Sequence, residues 1–164
     1  MIALKKILVA TDFSEPAGAA LAYGRAFAWT FDATLYLLHV VDDMYVRLGG
    51  DAYAAVLPEL QEDVERDARE RLARLAAEDN LGSLRVEPVV VTNDGTANAI
   101  VNYAEKENIQ LIIVGTHGRS GVAHLLMGSV AERVVRTAHC PVLTVRRPER
   151  DFVMPDTAVA SAHA

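Results

Sequence analysis

Three glycines and a serine carry the spacing Gly115-x2-Gly118-x9-Gly128-Ser129, within the stretch GTHGRSGVAHLLMGS from 115 to 129. Glycines without a Cβ let backbone approach a ligand closely. A Gly-Ser pair opening a helix adds free backbone N–H groups, the positive end of the helix dipole and a hydroxyl. That chemistry suits a bound anion such as phosphate. It equally suits a glycine-rich turn ending in a serine cap, and the residues by themselves leave both readings open. The segment has neither the lysine of a Walker A loop nor G-x-G-x-x-G spacing. Arg119 supplies forked donors that match phosphate geometry. His117 and His124 lie in the same stretch, but a metal pair there has no cysteine or carboxylate close in sequence to complete it.

A second polar group, Asp12, follows the apolar run KILVAT (6–11). Asp42 and Asp43 follow TLYLLHVV (34–41) and are read as a solvated loop rather than a magnesium site. Among the remaining polar candidates, His39 is expected to be packed or hydrogen-bonded within a strand, and His139 to cap the last helix.

Positioning these groups falls to alternating elements. Apolar runs without polar alternation read as strands buried on both faces. They cover 6–11, 34–41, 85–92, 109–115 and 141–146, and Pro88 marks the third as an edge strand. Ser14, Glu15 and Pro16 start a helix after the first strand. The stretch 42–55, with Gly49 and Gly50, has no firm period and reads as a loop. Leu57, Leu60, Val64, Ala68, Leu72 and Leu75 recur at helical spacing, with EDVERDARER as a solvated charged face. A turn at Asn80–Gly82 closes that helix. NDGT (93–96) opens the next, and the last runs over 129–138. Strands alternating with helices imply one α/β domain, a single open five-stranded parallel sheet with helices on both faces. Ligands in such sheets bind beyond the carboxyl ends of the strands, where strand order reverses.

Composition narrows the classes further. The 164 residues suffice for one domain over 1–147, with a tail over 148–164 expected to be partly disordered. A net charge of −6 argues against a nucleic-acid partner. No run approaches the ~18 apolar residues of a membrane span, and the apolar part of MIALKKILVA is short for a secretory signal. The expected location is cytoplasmic. The single cysteine, Cys140, allows no internal disulfide and reads as a buried structural thiol.

The glycine-serine spacing resembles the ATP-binding motif of the universal stress protein family. The resemblance extends over roughly 3–147: ILVATDFSE (7–15) is similar to that family's first strand and aspartate, LLHVV (37–41) to its second strand, and HCPVLTVR (139–146) to its last. It implies a Rossmann-like, adenine nucleotide alpha hydrolase-like sheet in the order 3-2-1-4-5. It also implies ATP, with Mg or Mn, in the crevice between strands one and four. Ala10, Thr11 and Asp12 would line the adenosine, with Asp12 near the ribose or a phosphate-bound cation. Val40 and Val41 would flank the adenine, and Gly115 would lie against the ribose. Gly118, Arg119, Gly128, Ser129 and Val130 would surround the phosphates. A homodimer through the last strand and a nucleotide-responsive regulatory role with a protein partner follow from the same resemblance. AMP or cyclic AMP is the alternative ligand. No residue reads as a water-positioning base, so binding is expected above catalysis, with at most slow ATP hydrolysis.

Overall fold

The computed structural model describes residues 3–48, 56–78, 84–116 and 127–146. Gly49 and Gly50, the Asn80–Gly82 turn, His117, Gly118, Arg119, His124 and the tail from 147 lie outside the described residues.

Five strands form the sheet: β1 Lys6–Ala10, β2 Thr34–Val41, β3 Val86–Thr92, β4 Leu111–Gly115 and β5 Val142–Val145. Their order is β3-β2-β1-β4-β5, as the family resemblance implies, and every pairing is parallel, as the alternating pattern implies. Helices α1 Glu15–Phe31, α2 Met44–Leu48, α3 Leu57–Ala77, α4 Thr96–Lys106 and α5 Ser129–Thr137 connect them. Pro88 sits in β3, at the sheet edge, where its missing N–H costs no second ladder.

The two-residue period of the strands divides the core in two. Ile7, Val9, Leu35, Leu37, Leu111 and Ile113 face α1 and α3. Leu8, Leu38, Ile112 and Val114 face α4 and α5, meeting Ile100, Val101, Ala104 and Val134. Most of these side chains are fully buried, each stabilising the fold by about 1.5–3 kcal/mol. On the first face α1 lies very close to the sheet: a Cβ on Gly24 would stand 2.3 Å from Val9 Cγ2. That close approach seats the middle of α1 directly on β1.

Three local differences from the sequence pattern have clear causes. Residues 44–48 form a short helix, because Asp43 Oδ1 accepts from the amides of Tyr45 (2.9 Å) and Val46 (3.3 Å) and starts it. In α3, Leu60 is exposed while Gln61 is buried. Gln61 Oε1 accepts the Met44 amide at 3.0 Å and its amide nitrogen donates to Glu65 Oε1 at 3.2 Å, so a polar latch between α2 and α3 takes the inward place. At the other end of the chain, Ala138 occupies the C-cap of α5, and His139 is exposed with Nδ1 3.9 Å from Glu105. Among the described residues no helix is long and apolar enough to cross a membrane.

Candidate functional site

Strand order reverses between β1 and β4: the chain moves from β1 outward through β2 to β3, then returns to β4. The two neighbours are paired through Ile7–Leu111, Leu8–Ile112 and Val9–Ile113, so their carboxyl ends diverge around one crevice. A cavity of about 610 Å³ opens there.

One wall is the turn after β1. Thr11 is buried, and its amide donates to Leu38 O at 2.8 Å, carrying the ladder past the last residue of β1. Its Oγ1 accepts from the Phe13 amide at 3.0 Å. Phe13 then adopts a left-handed backbone, φ 64°, unusual for a bulky residue. Asp12 Oδ1 accepts from the Ser14 amide (3.0 Å) and the Ser14 hydroxyl (2.5 Å), while Ser14 Oγ caps α1 by accepting from Ala17 N at 3.4 Å. Asp12 thus orders the turn as well as lining the cavity.

The opposite wall is the start of α5. Thr116 continues past β4 with its amide on Val145 O (2.8 Å), and its carbonyl accepts the Gly128 amide at 2.5 Å. Gly128 is the N-cap, and among the described residues no side chain caps the helix. The first helical bond runs from Glu132 N to Gly128 O at 2.9 Å. The amides of Ser129, Val130 and Ala131 therefore precede any acceptor the helix itself can offer, and all three residues line the cavity. The Ser-cap alternative is not what forms: Ser129 is the first helical residue.

Every described residue expected at the site borders this one cavity: Ala10, Thr11 and Asp12, then Val40 and Val41, then Gly115, and finally Gly128, Ser129 and Val130. Gly118 and Arg119 lie outside the described residues. For Gly115 the structure supplies a packing reason. A Cβ there would stand 2.9 Å from both the carbonyl carbon and oxygen of Pro16, so β4 and the first turn of α1 could not approach as they do.

Several cavity residues escaped the sequence reading. His39 Nδ1 lies 2.7 Å from Thr11 O, to which it donates, and its ring meets Phe13 at 4.5 Å. The expected hydrogen-bonded strand histidine is thus present, but it also lines the site. Met44 and Arg47 reach the cavity from α2, with Arg47 paired to Asp42. The charged face of α3 is not wholly a solvated surface. Asp67 and Arg71 line the cavity beside Val64 and Ala68, and the Arg71 guanidinium lies 4.1 Å over the Phe13 ring. The signal was available as an i, i+3, i+4, i+7 set, but charge made its polar members look like surface. Among the described residues no three His, Cys, Asp or Glu side chains converge as a metal site. Cys140 packs on the second core cluster, and burial pushes its thiol pKa up, away from the reactive thiolate form.

Comparison with known proteins places this architecture. A model of the universal stress protein family matches residues 3–146. Universal stress protein MJ0531 of Methanocaldococcus jannaschii is 35% identical over 149 residues, covering 90% of this chain and 85% of that protein. The solved structure of MJ0577 from the same organism superposes with a TM-score of 0.79 at 31% identity, over 91% of this chain and all of the other. A universal stress protein crystallised in complex with cAMP superposes with a TM-score of 0.58 at 26% identity, over 88% of this chain and 98% of that one. The fold, the matched span and these relatives together show that the chain belongs to the universal stress protein family.

Proposed function

We propose that this protein binds ATP in the crevice between β1 and β4 and acts as a nucleotide-responsive regulatory protein. The observation that carries the reading is the N-terminus of α5, which no side chain among the described residues caps. Its first residues line a cavity at the strand-order reversal, where a phosphate would accept from amides the helix itself cannot satisfy and the helix dipole would favour its charge. The donor set fits the group. Gly128, Ser129 and Val130 would hold phosphate oxygens, joined by Gly118 and Arg119, and Ala10, Thr11 and Gly115 would border the ribose. Val40 and Val41 would flank the adenine, with the Val41 backbone as its hydrogen-bond partner. With no convergent metal site among the described residues, Mg or Mn would arrive with the triphosphate, and Asp12 would face it. The carboxylates and the histidine that line the cavity each already have a partner, Asp12 with Ser14, Asp42 with Arg47, Asp67 with Arg71 and His39 with Thr11 O, so the reading is binding, with hydrolysis at most slow. A homodimer through β5, a cytoplasmic location and a protein partner that senses nucleotide occupancy complete it.

A second reading, AMP or cyclic AMP, is supported by the relative crystallised with cAMP. Both share the base and ribose contacts and differ only at the phosphate end. Mass spectrometry of nucleotide released from the denatured protein, followed by calorimetric titration with ATP, AMP and cyclic AMP with and without magnesium, separates them. Gly128→Glu is the matching variant. Its backbone, φ −70° and ψ 152°, is open to any residue, so the fold should persist while an anion fills the cradle. ATP-induced thermal stabilisation should vanish in Gly128→Glu, and a shift equal to that of the wild type would reject the site.

A further inference from the structure

The anion cradle lies on the β4–β5 side of the strand-order reversal. A nucleotide anchored there by its phosphates must extend its base across the end of β1 toward β2. On that side the cavity wall belongs to α3, which presents Val64 and Ala68 to the interior with Asp67 and Arg71 on the same helical face. A flat base can rest against the apolar pair. The charged pair beside it is an acceptor and a donor one helical turn apart, 3.7 Å from each other, with Asp67 66% and Arg71 41% exposed, and both line the cavity.

Arg71 is held in a particular way. Its guanidinium covers the ring of Phe13, the left-handed residue whose amide is tied to Thr11 Oγ1. The same ring meets His39, which is itself bonded to Thr11 O. The Phe13 contact and the ion pair of one Nη with Asp67 leave further guanidinium N–H donors for a ligand. Adenine offers an N7 acceptor next to the N6 amino donor. Arginine and carboxylate, side by side, match that edge.

Resting on the nucleotide reading above, we propose that Arg71 and Asp67 read the purine edge of the bound base, Arg71 donating to N7 and Asp67 accepting from the N6 amino group. This makes α3 the base-selecting wall of the site, a role distinct from phosphate binding at α5.

The test is calorimetric titration of the full chain, freed of nucleotide, with ATP, with 7-deaza-ATP, which lacks the N7 acceptor, and with inosine triphosphate, which lacks the amino group. Wild type should bind ATP about tenfold tighter than either analogue, the scale of one charge-assisted hydrogen bond. Arg71→Met should lose about tenfold on ATP and none on 7-deaza-ATP, erasing that ratio. Asp67→Asn should narrow the ATP-to-inosine triphosphate ratio while leaving the 7-deaza ratio in place. Thermal melts verify folding, and Arg71→Gln replaces Arg71→Met if the latter melts below the titration temperature. Wild type binding ATP without discriminating 7-deaza-ATP, or an Arg71 variant that keeps the wild-type ratio, overturns the inference and leaves the nucleotide site standing. Absence of binding by any of the three nucleotides to the wild type overturns the nucleotide reading itself.

Discussion

Gly115 shows how one residue type can serve two demands. Its position in the glycine spacing is visible in the chain, and the resemblance assigned it to the ribose. The structure adds that α1 packs its Pro16 backbone where a side chain would project. Backbone cannot swing aside as a flexible side chain can. Gly115→Ala should therefore destabilise the fold by about 1–3 kcal/mol, read as a drop in Tm of roughly 2–4 °C per kcal/mol. An unchanged melting temperature would show that β4 and α1 have slack the packing denies. Asp12 and His39 carry a related lesson. Each was recognisable as polar at a strand end or within a strand, but their partners, the Ser14 amide and hydroxyl and the Thr11 carbonyl, were not.

At the scale of elements, α3 departs furthest from its sequence pattern. Periodicity located the helix, since Leu57, Ala68 and Leu72 are buried at the expected spacing. Periodicity could not tell that Gln61 would replace Leu60 inward, because the reason is the Met44 amide arriving from another helix. The latch continues outward. Glu65 accepts from Thr92 Oγ1 (2.7 Å) and Arg69 Nη2 (2.5 Å), tying α3 to the end of β3. The Thr92 hydroxyl, foremost, holds the Glu65 carboxyl below its usual 4.5, with Arg69 and Gln61 adding to it against a desolvation penalty. A lowered folded pKa contributes stability above the unfolded value that is lost as pH falls through the folded one. Thr92→Val should thus be less stable than wild type at pH 7, with the difference fading below pH ~4.5. Urea melts across pH 3–7 check this, and a difference that grew on acidification would reverse the assignment.

For the whole molecule, the sheet and its two core faces couple ligand to fold. Ligand at about 100 times its dissociation constant stabilises the state that binds it by roughly 2.7 kcal/mol. ATP at that excess should raise Tm by several degrees, on the scale of roughly 2–4 °C per kcal/mol. No ATP-dependent shift at millimolar nucleotide would count against the proposed site. The proposed homodimer through β5 is tested by sedimentation velocity. A species of twice the chain mass is expected, its population falling on dilution or on substitution of Leu143 by Asp, and a monomer at all concentrations would exclude it. Pairing two such edges would hide ladder groups that a lone edge strand exposes to aggregation.

The amino-acid sequence alone determined the alternation of strands and helices, because buried parallel strands and amphipathic helices each require a distinct apolar period. It also determined that β3 would lie at an edge, through the missing N–H of Pro88, and it placed the glycine-serine spacing before the last helix. Periodicity left adjacency open; the family resemblance implied it, and the folded chain decided it. β1 lies beside β4 because the crossover after β3 returns to the opposite face, and that return brings Asp12, Val41 and Ser129 to one cavity although they are far apart in sequence. Likewise Asp67 and Arg71 look like solvated surface until α3 is laid against the end of β2. Charge pattern records what a residue is, whereas its role depends on which wall of the crevice the packing makes of it.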